Sequence, residues 1–279
     1  MLGRDLVARL GGRHEVIPLP RAEADLTDRA AVMRAMDARR PEFVIHAAAF
    51  TAVDECERQP DLAFRVNAEG TRHVALACRQ LGIPMLYIST DYVFDGEKSE
   101  PYIESDPPNP LNVYGKSKLE GERSVIELVE RYWIVRTSWL FGPFGRNFVS
   151  AILDQARAGR PLRVVDDQFG APTYTVDLAA KLEELVADSE PGIYHVTNQG
   201  YCSWFQFAQE ILRQAGLGET LIDPVLSSTL DRPARRPKNS RLANVRLEES
   251  GVDLLGPWRD ALRRHFSMEK GERASPILV

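Results

Sequence analysis

Four short apolar runs alternate with helical patterns through the first half of this 279-residue chain, and that alternation restricts the fold more than any single residue. The runs are Glu15-Val16-Ile17-Pro18-Leu19, Phe43-Val44-Ile45-His46-Ala47-Ala48-Ala49, Pro84-Met85-Leu86-Tyr87-Ile88 and Tyr132-Trp133-Ile134-Val135-Arg136-Thr137. Each reads as a short strand. Between them, Thr27 is placed to cap a helix to about Arg39 with Val32, Met33 and Met36 inward. Pro60 opens a long helix that ends before Gly82, and residues 112–130 carry another helical pattern. Such alternation builds a parallel sheet with helices on both faces. Open sheets of this kind bind ligands beyond the carboxyl ends of their strands. Residues 48–51, 89–92 and 137–141 all fall at such ends.

The spacing loosens after about residue 140. Phe148 to Ala158 reads as a helix, Leu162-Arg163-Val164-Val165 as a strand, and Asp177 as the cap of a helix to Ala187. Ile193-Tyr194-His195-Val196 is a further strand, and Ser203 caps a helix with Phe205, Ala208, Ile211 and Leu212 inward. The expected fold is α/β: a doubly wound parallel sheet over 1–140, a smaller α/β lobe over 141–267 interleaved with it, and a frayed tail over 268–279.

Composition removes several function classes. A net charge of -5 gives no electrostatic case for nucleic acid. The basic run Arg232-Pro233-Ala234-Arg235-Arg236-Pro237-Lys238 suits a phosphate and suits plain solvation equally well. The odd, widely spaced cysteines Cys56, Cys78 and Cys202 argue against a disulfide framework or zinc site and fit a reducing cytoplasm. His46 and His195 lie in apolar runs and are expected to be packed and hydrogen-bonded. No metal-ligand spacing, signal peptide or bilayer-length apolar run is visible.

The chemistry concentrates in Ser89-Thr90-Asp91-Tyr92-Val93-Phe94-Asp95-Gly96 and Asn112-Val113-Tyr114-Gly115-Lys116-Ser117-Lys118. Tyr114 and Lys118 are four apart and share a helix face. An ammonium beside a phenol is expected to lower the phenol's pKa. A phenol tuned in that way exchanges a proton with a substrate oxygen, and Thr90 supplies a hydroxyl to the same oxygen. Carbonyl–alcohol redox chemistry needs this set. Singly, Thr90 also reads as a strand end, Tyr114 as packing and Lys118 as a solvated charge; their joint placement at strand ends favours the chemistry.

The chain begins Met1-Leu2-Gly3-Arg4-Asp5-Leu6, which reads as the last glycine of a dinucleotide-binding turn and the helix behind it. The strand and earlier glycines of that unit are not in the sequence, so the sheet is expected to lack its first strand, with a start codon assigned too far downstream. Leu19-Pro20-Arg21 offers arginine where an acidic residue binds the adenosine ribose, which tilts the expected cofactor from NADH towards NADPH.

Together these segments resemble the extended short-chain dehydrogenase/reductases, and among them the bacterial dTDP-4-dehydrorhamnose reductase family. The matching stretches are A-D-L-T-D (24–28), H-A-A-A-F-T-A-V-D (46–54), S-T-D-Y-V-F-D-G (89–96), P-L-N-V-Y-G-K-S-K-L-E-G-E (110–122), R-T-S-W-L-F-G (136–142), V-V-D-D-Q-F-G-A-P-T (164–173) and R-R-P-K-N-S (235–240). The resemblance implies an NADPH- or NADH-dependent reductase of a dTDP-sugar. It makes Tyr114 the proton donor, Lys118 the holder of the nicotinamide ribose, and Thr90 a partner of the keto oxygen. Asp91 and Trp139 would contact the hexose. Asp25 and Leu26 would flank the adenine, Ala49, Phe50 and Thr51 would line the nicotinamide side, and Gly3 would face the pyrophosphate. Asp166, Asp167 and Gln168 would precede a segment shaping the substrate lobe. Magnesium and a homodimer are implied by the family alone, with no ligands assignable. Related 4,6-dehydratases carry Asp-Glu after the threonine; Asp91-Tyr92 lacks the second carboxylate, which disfavours elimination. The resemblance also admits a non-catalytic role like that of the methionine adenosyltransferase β-subunit, or a silent paralogue.

Overall fold

The computed structural model describes residues 1–273, with side chains as far as Met268. The expected frayed tail therefore lies outside the described residues, apart from the end of the last helix. The first half runs α1 (Leu2–Leu10), α2 (Arg29–Arg39), β1 (Val44–His46), α3 (Val53–Arg58), α4 (Pro60–Phe64), a π-helical turn (Arg65–Glu69), α5 (Gly70–Leu81), β2 (Met85–Thr90), α6 (Val113–Leu128) and β3 (Tyr132–Thr137). The second half adds β4 (Leu140–Phe141), α7 (Phe148–Arg157), β5 (Leu162–Val165), β6 (Phe169–Gly170), β7 (Thr173–Tyr174), α8 (Thr175–Asp188), β8 (Gly192–His195), β9 (Cys202–Ser203), α9 (Trp204–Gln214), β10 (Ile222–Val225), α10 (Val245–Glu249) and α11 (Trp258–Arg273).

The main sheet has the order β1-β2-β3-β8, and every pair in it is parallel. Its strands are apolar on both sides because both faces are covered. On one face Leu2 and Leu6 of α1 and Leu178 and Leu182 of α8 pack against Leu86, Ile88, Trp133 and Val135. On the other, Val32, Val74 and Val125 pack against Met85, Tyr87 and Ile134. Each large apolar side chain so buried contributes about 1.5–3 kcal/mol relative to exposure. A separate core of Phe141, Ile152, Leu162, Phe207 and Trp258 holds α7, α9 and α11 beside the sheet. The register sets Thr90 opposite Thr137, so the ends of β2 and β3 lie level.

Several expectations need correction. Residues 15–19 form no strand, and Ile17 and Leu19 are exposed. A strand needs a neighbour to bond, none is present among the described residues, and Pro18 and Pro20 carry no amide hydrogen. Asp28, not Thr27, caps α2, accepting from the Ala31 amide at 3.0 Å, while the Thr27 hydroxyl donates to Asp25. Asp177 sits within the first turn of α8, where it accepts from Asn198. In α9 it is Phe207 that enters the core; Phe205 is half-buried. The long helix from Pro60 does form, but with the π turn inside it. The three cysteines are free and buried. His46 and His195 are buried and bonded, to the Thr71 hydroxyl and to the Tyr102 and Ala243 carbonyls respectively. No helix among the described residues is long and apolar enough to cross a membrane.

Candidate active site

The site assembles where β2 ends and α6 begins. Thr90 closes β2, and its hydroxyl accepts the Tyr92 amide at 3.2 Å to start a single 3-10 turn, Asp91–Val93. Asn112 caps α6 through the Gly115 amide (2.8 Å), and Glu57 accepts the Val113 amide (2.7 Å). Gly115 is required here: a Cβ would lie 2.1 Å from the Tyr92 carbonyl oxygen. With that gap closed, Tyr114 meets Tyr92 edge-on, ring centroids 6.0 Å apart.

One turn along α6, Lys118 is buried at 2% exposure. Its ammonium donates to the Ile88 carbonyl at 2.6 Å and lies 4.0 Å from the Tyr87 ring centroid. Burial pulls its pKa down to about 7, opposed by Glu122. Tyr114 moves the other way from the expected direction. Its pKa is raised, first by burial and then by Asp91, Cys56 and Tyr92, with Thr90 opposing. The anticipated acidic phenol is absent because burial raises the phenol's pKa, while the Lys118 amine is bonded to the Ile88 carbonyl. The phenol therefore stays protonated, which is the state a proton donor needs.

Asp91 is 3% exposed; its Oδ1 accepts from Thr90 at 3.0 Å and its Oδ2 has no hydrogen-bond partner. Burial pushes its pKa up to about 7 against bonds from Ser240 and Thr90. The Thr137 hydroxyl, at the adjacent strand end, is likewise buried without a hydrogen-bond partner. Trp139 is half-buried and has a left-handed backbone, φ 48°, a conformation costing a bulky residue about 1–3 kcal/mol.

Beyond β1, Ala49 and Phe50 are half-buried and Thr51 is exposed. The Phe50 amide donates to Asn67 Oδ1 (2.7 Å), and Asn67 Nδ2 donates to the Phe50 carbonyl and to Ser117 (both 3.0 Å). Asn67 lies in the π turn, and such turns occur often at functional sites. Asp54, in the first turn of α3, accepts both arms of Arg236 (2.9 and 2.8 Å), so this part of the basic run clasps the start of that helix rather than facing free solvent. Asp166 accepts the Ser203 hydroxyl, Asp167 accepts the Ser227 amide and hydroxyl, and Gln168 is buried. At the other end of the cleft, Asp25 accepts from Thr27 and from Arg21, whose side chain is 80% exposed. The Leu26 carbonyl accepts from His73, and Gly3 is exposed in the first turn of α1.

The family model described as the RmlD substrate binding domain matches residues 1–270. A dTDP-4-dehydrorhamnose reductase of Streptomyces griseus is 43% identical, over 99% of this chain and 93% of its own length. The crystal structure of a dTDP-4-dehydrorhamnose reductase from Clostridium acetobutylicum superposes with a TM-score of 0.93 at 42% identity, covering 96% of each chain. That from Bacillus anthracis, in complex with NADP, gives 0.93 at 39% identity over 96% of this chain and 95% of its own. This chain belongs to the dTDP-4-dehydrorhamnose reductase family. The fold extends to a Thermus thermophilus UDP-glucose 4-epimerase at 21% identity, with a TM-score of 0.80 over 97% of this chain and 96% of that one.

In this family member, an ion pair lies directly beneath the site. Arg136 donates to Glu122 through Nε (3.0 Å) and Nη2 (2.7 Å), and Ser89 donates to the same carboxylate at 2.5 Å. Both charged side chains are at most 2% exposed. Glu122 sits one turn past Lys118 on the same face of α6 and favours its charged form. Neither this pair nor the Asn67 and Asp54 contacts can be anticipated from local spacing, since their partners are 14 to 182 residues away. The donor set suits a nicotinamide ribose: an amine, a phenol and two buried oxygens without hydrogen-bond partners lie at or just beyond the ends of β2 and β3 and the start of α6. Gly3 adds a face where nothing lies within 4 Å of a Cβ position. Among the described residues, no group of three or more His, Cys, Asp or Glu side chains is placed to hold a metal ion.

Proposed function

We propose that this chain reduces the C4 ketone of dTDP-4-dehydro-L-rhamnose (dTDP-6-deoxy-L-lyxo-4-hexulose) to dTDP-L-rhamnose, with NADPH as the preferred donor over NADH. The observation that carries this reading is the placement of the buried Tyr114 phenol at the start of α6, packed edge-on against Tyr92 of the turn that Thr90 caps at the carboxyl end of β2. The bound dihydronicotinamide supplies the hydride to C4. Tyr114 gives its proton to the oxygen as negative charge develops there, and Thr90 stabilises that oxygen by hydrogen bonding. Lys118 holds the nicotinamide ribose once its amine leaves the Ile88 carbonyl. Asp91 accepts from a hexose hydroxyl through its unpartnered Oδ2, and Trp139 packs on the sugar ring. The lobe beyond residue 140 orients the nucleotide and hexose. Asp25 and Leu26 flank the adenine, while Ala49, Phe50 and Thr51 line the nicotinamide.

Arg21, mostly exposed beside Asp25, suits a 2′-phosphate, and the Bacillus anthracis relative was solved with NADP. Relatives named reductases of dTDP-4-keto sugars, including one from Streptomyces niveus at 37% identity, favour a catalyst over a regulatory binding protein. The reading includes a cytoplasmic setting, in keeping with three free buried thiols. The test is NADPH oxidation by the purified chain with the dTDP-4-keto sugar. Oxidation that requires the sugar supports the reading. Absence of turnover by protein that demonstrably binds the dinucleotide would defeat it.

A further inference from the structure

Trp139 is held in its left-handed pose by segments far away in sequence. Its indole lies flat on Trp204, with ring centroids 3.5 Å apart and planes 8° from parallel. Against it sits Gly170, where a Cβ would come within 2.4 Å of the indole. The Trp139 carbonyl accepts the Thr173 amide at 3.2 Å. Gly170 and Trp204 arrive as one unit. β6 pairs antiparallel with β9, Gly170 opposite Cys202, and β9 runs straight into α9, whose first residue is Trp204. The same short strand is tied to residues 238–240: the Phe169 amide donates to the Lys238 carbonyl and the Ser240 amide to the Phe169 carbonyl, both at 2.8 Å. The Ser240 hydroxyl also donates to the Phe169 carbonyl at 3.4 Å. One two-residue strand thus ties the Trp139 indole to the segment 238–240.

A tryptophan kept only for packing gains nothing from a left-handed backbone. Such a pose persists where the surroundings over-determine it, and these sites cluster at ligand clamps. We propose that Gly170 and Trp204 are positioning residues for the sugar. They fix the Trp139 indole so that the hexose is held with C4 towards Tyr114. Gly170 acts by the absence of a side chain, and Trp204 by supplying the face on which the indole rests. This rests on the reading that Trp139 faces the hexose.

The experiment is a double-mutant cycle on the intact chain, using Trp139→Ala, Gly170→Ala, Trp204→Leu and the two doubles that contain Trp139→Ala. Steady-state kinetics are measured with the dTDP-4-keto sugar, and NADPH affinity is measured separately. Gly170→Ala and Trp204→Leu are each expected to raise KM for the sugar nucleotide roughly tenfold or more, since a displaced indole gives up binding contact with the hexose and tenfold in affinity is about 1.4 kcal/mol. NADPH affinity stays unchanged. In the Trp139→Ala background neither should do further harm, because residues acting through one side chain are not additive. Additive losses in that background, or a wild-type KM in both singles, overturn the positioning role. A wild-type KM in Trp139→Ala alone removes the reading of Trp139 and the proposal with it, while sugar-dependent NADPH oxidation would still stand. The indole–indole signal in circular dichroism should vanish in Trp204→Leu with little change in Tm; if Gly170→Ala fails to fold, the Trp204 arm of the cycle decides alone.

Discussion

The two ends of the cleft follow opposite rules. Around Tyr114 the polar groups are withdrawn from water: Thr90, Asp91 and Lys118 are at most 5% exposed, and Asp91 and Lys118 have pKa values displaced to about 7 from opposite sides. At the other end, Gly3 and Arg21 face solvent, and the Asp25 carboxyl is held low by Thr27 and Arg21. Desolvation makes a buried dipole or charge worth far more to a reacting oxygen than an exposed one. The difference teaches where each task lies. On the proposed reading, chemistry belongs to the end where the fold tolerates costly burial, and cofactor choice to the end where side chains exchange freely with water.

Three substitutions break or sharpen that contrast. The largest effect should come from Tyr114→Phe. It should lower kcat about 10²–10⁴-fold, with Tm close to wild type because the ring and its edge contact with Tyr92 remain. Near-normal kcat, measured by NADPH oxidation, would contradict the proton-donor role.

Asp91→Asn tests the cost of the buried end. The folded-state pKa of Asp91 is raised to about 7, so its protonation supports folding fully below the unfolded value near 4. That support is lost as pH rises through about 7. Asparagine carries no such penalty. The variant should match wild type near pH 4 and exceed its stability by roughly 2–4 kcal/mol at pH 8, read from urea unfolding at the two pH values. A pH-independent difference would mean that the carboxyl is ionised without cost. The smallest effect is expected from Arg21→Ala. It should shift the NADPH-to-NADH ratio of kcat/KM several-fold towards NADH and alter stability by less than ~0.5 kcal/mol. An unchanged ratio would remove Arg21 from cofactor selection.

Much of the buried end was legible in the sequence. Tyr114 and Lys118 sit four apart, so helix periodicity put them on one face, and Thr90 ends an apolar strand, so the strand-end rule put it on the ligand side of the sheet. The direction of the Tyr114 shift was not legible. Spacing fixes which face an amine shares, but the amine's partner, the Ile88 carbonyl, lies 30 residues away. The left-handed backbone of Trp139 and its stack on Trp204 were equally hidden, since tryptophan carries no intrinsic preference for that pose. Residues 15–19 show the reverse failure. Their composition is strand-like, but composition supplies no hydrogen-bonding neighbour, and without one the segment stays irregular.

The π-helical turn at Arg65–Glu69 has a consequence for how this molecule tolerates change. Its wider winding accommodates one residue more than an α-helix of equal rise. Deleting one residue there would let α4 and α5 fuse into a more regular rod and would rotate Asn67 by about 100°. The tether holding Phe50 by both its backbone groups would then swing out of reach. The protein keeps an irregular helix so that a distant loop stays moored; its smoothest form would be its least competent one.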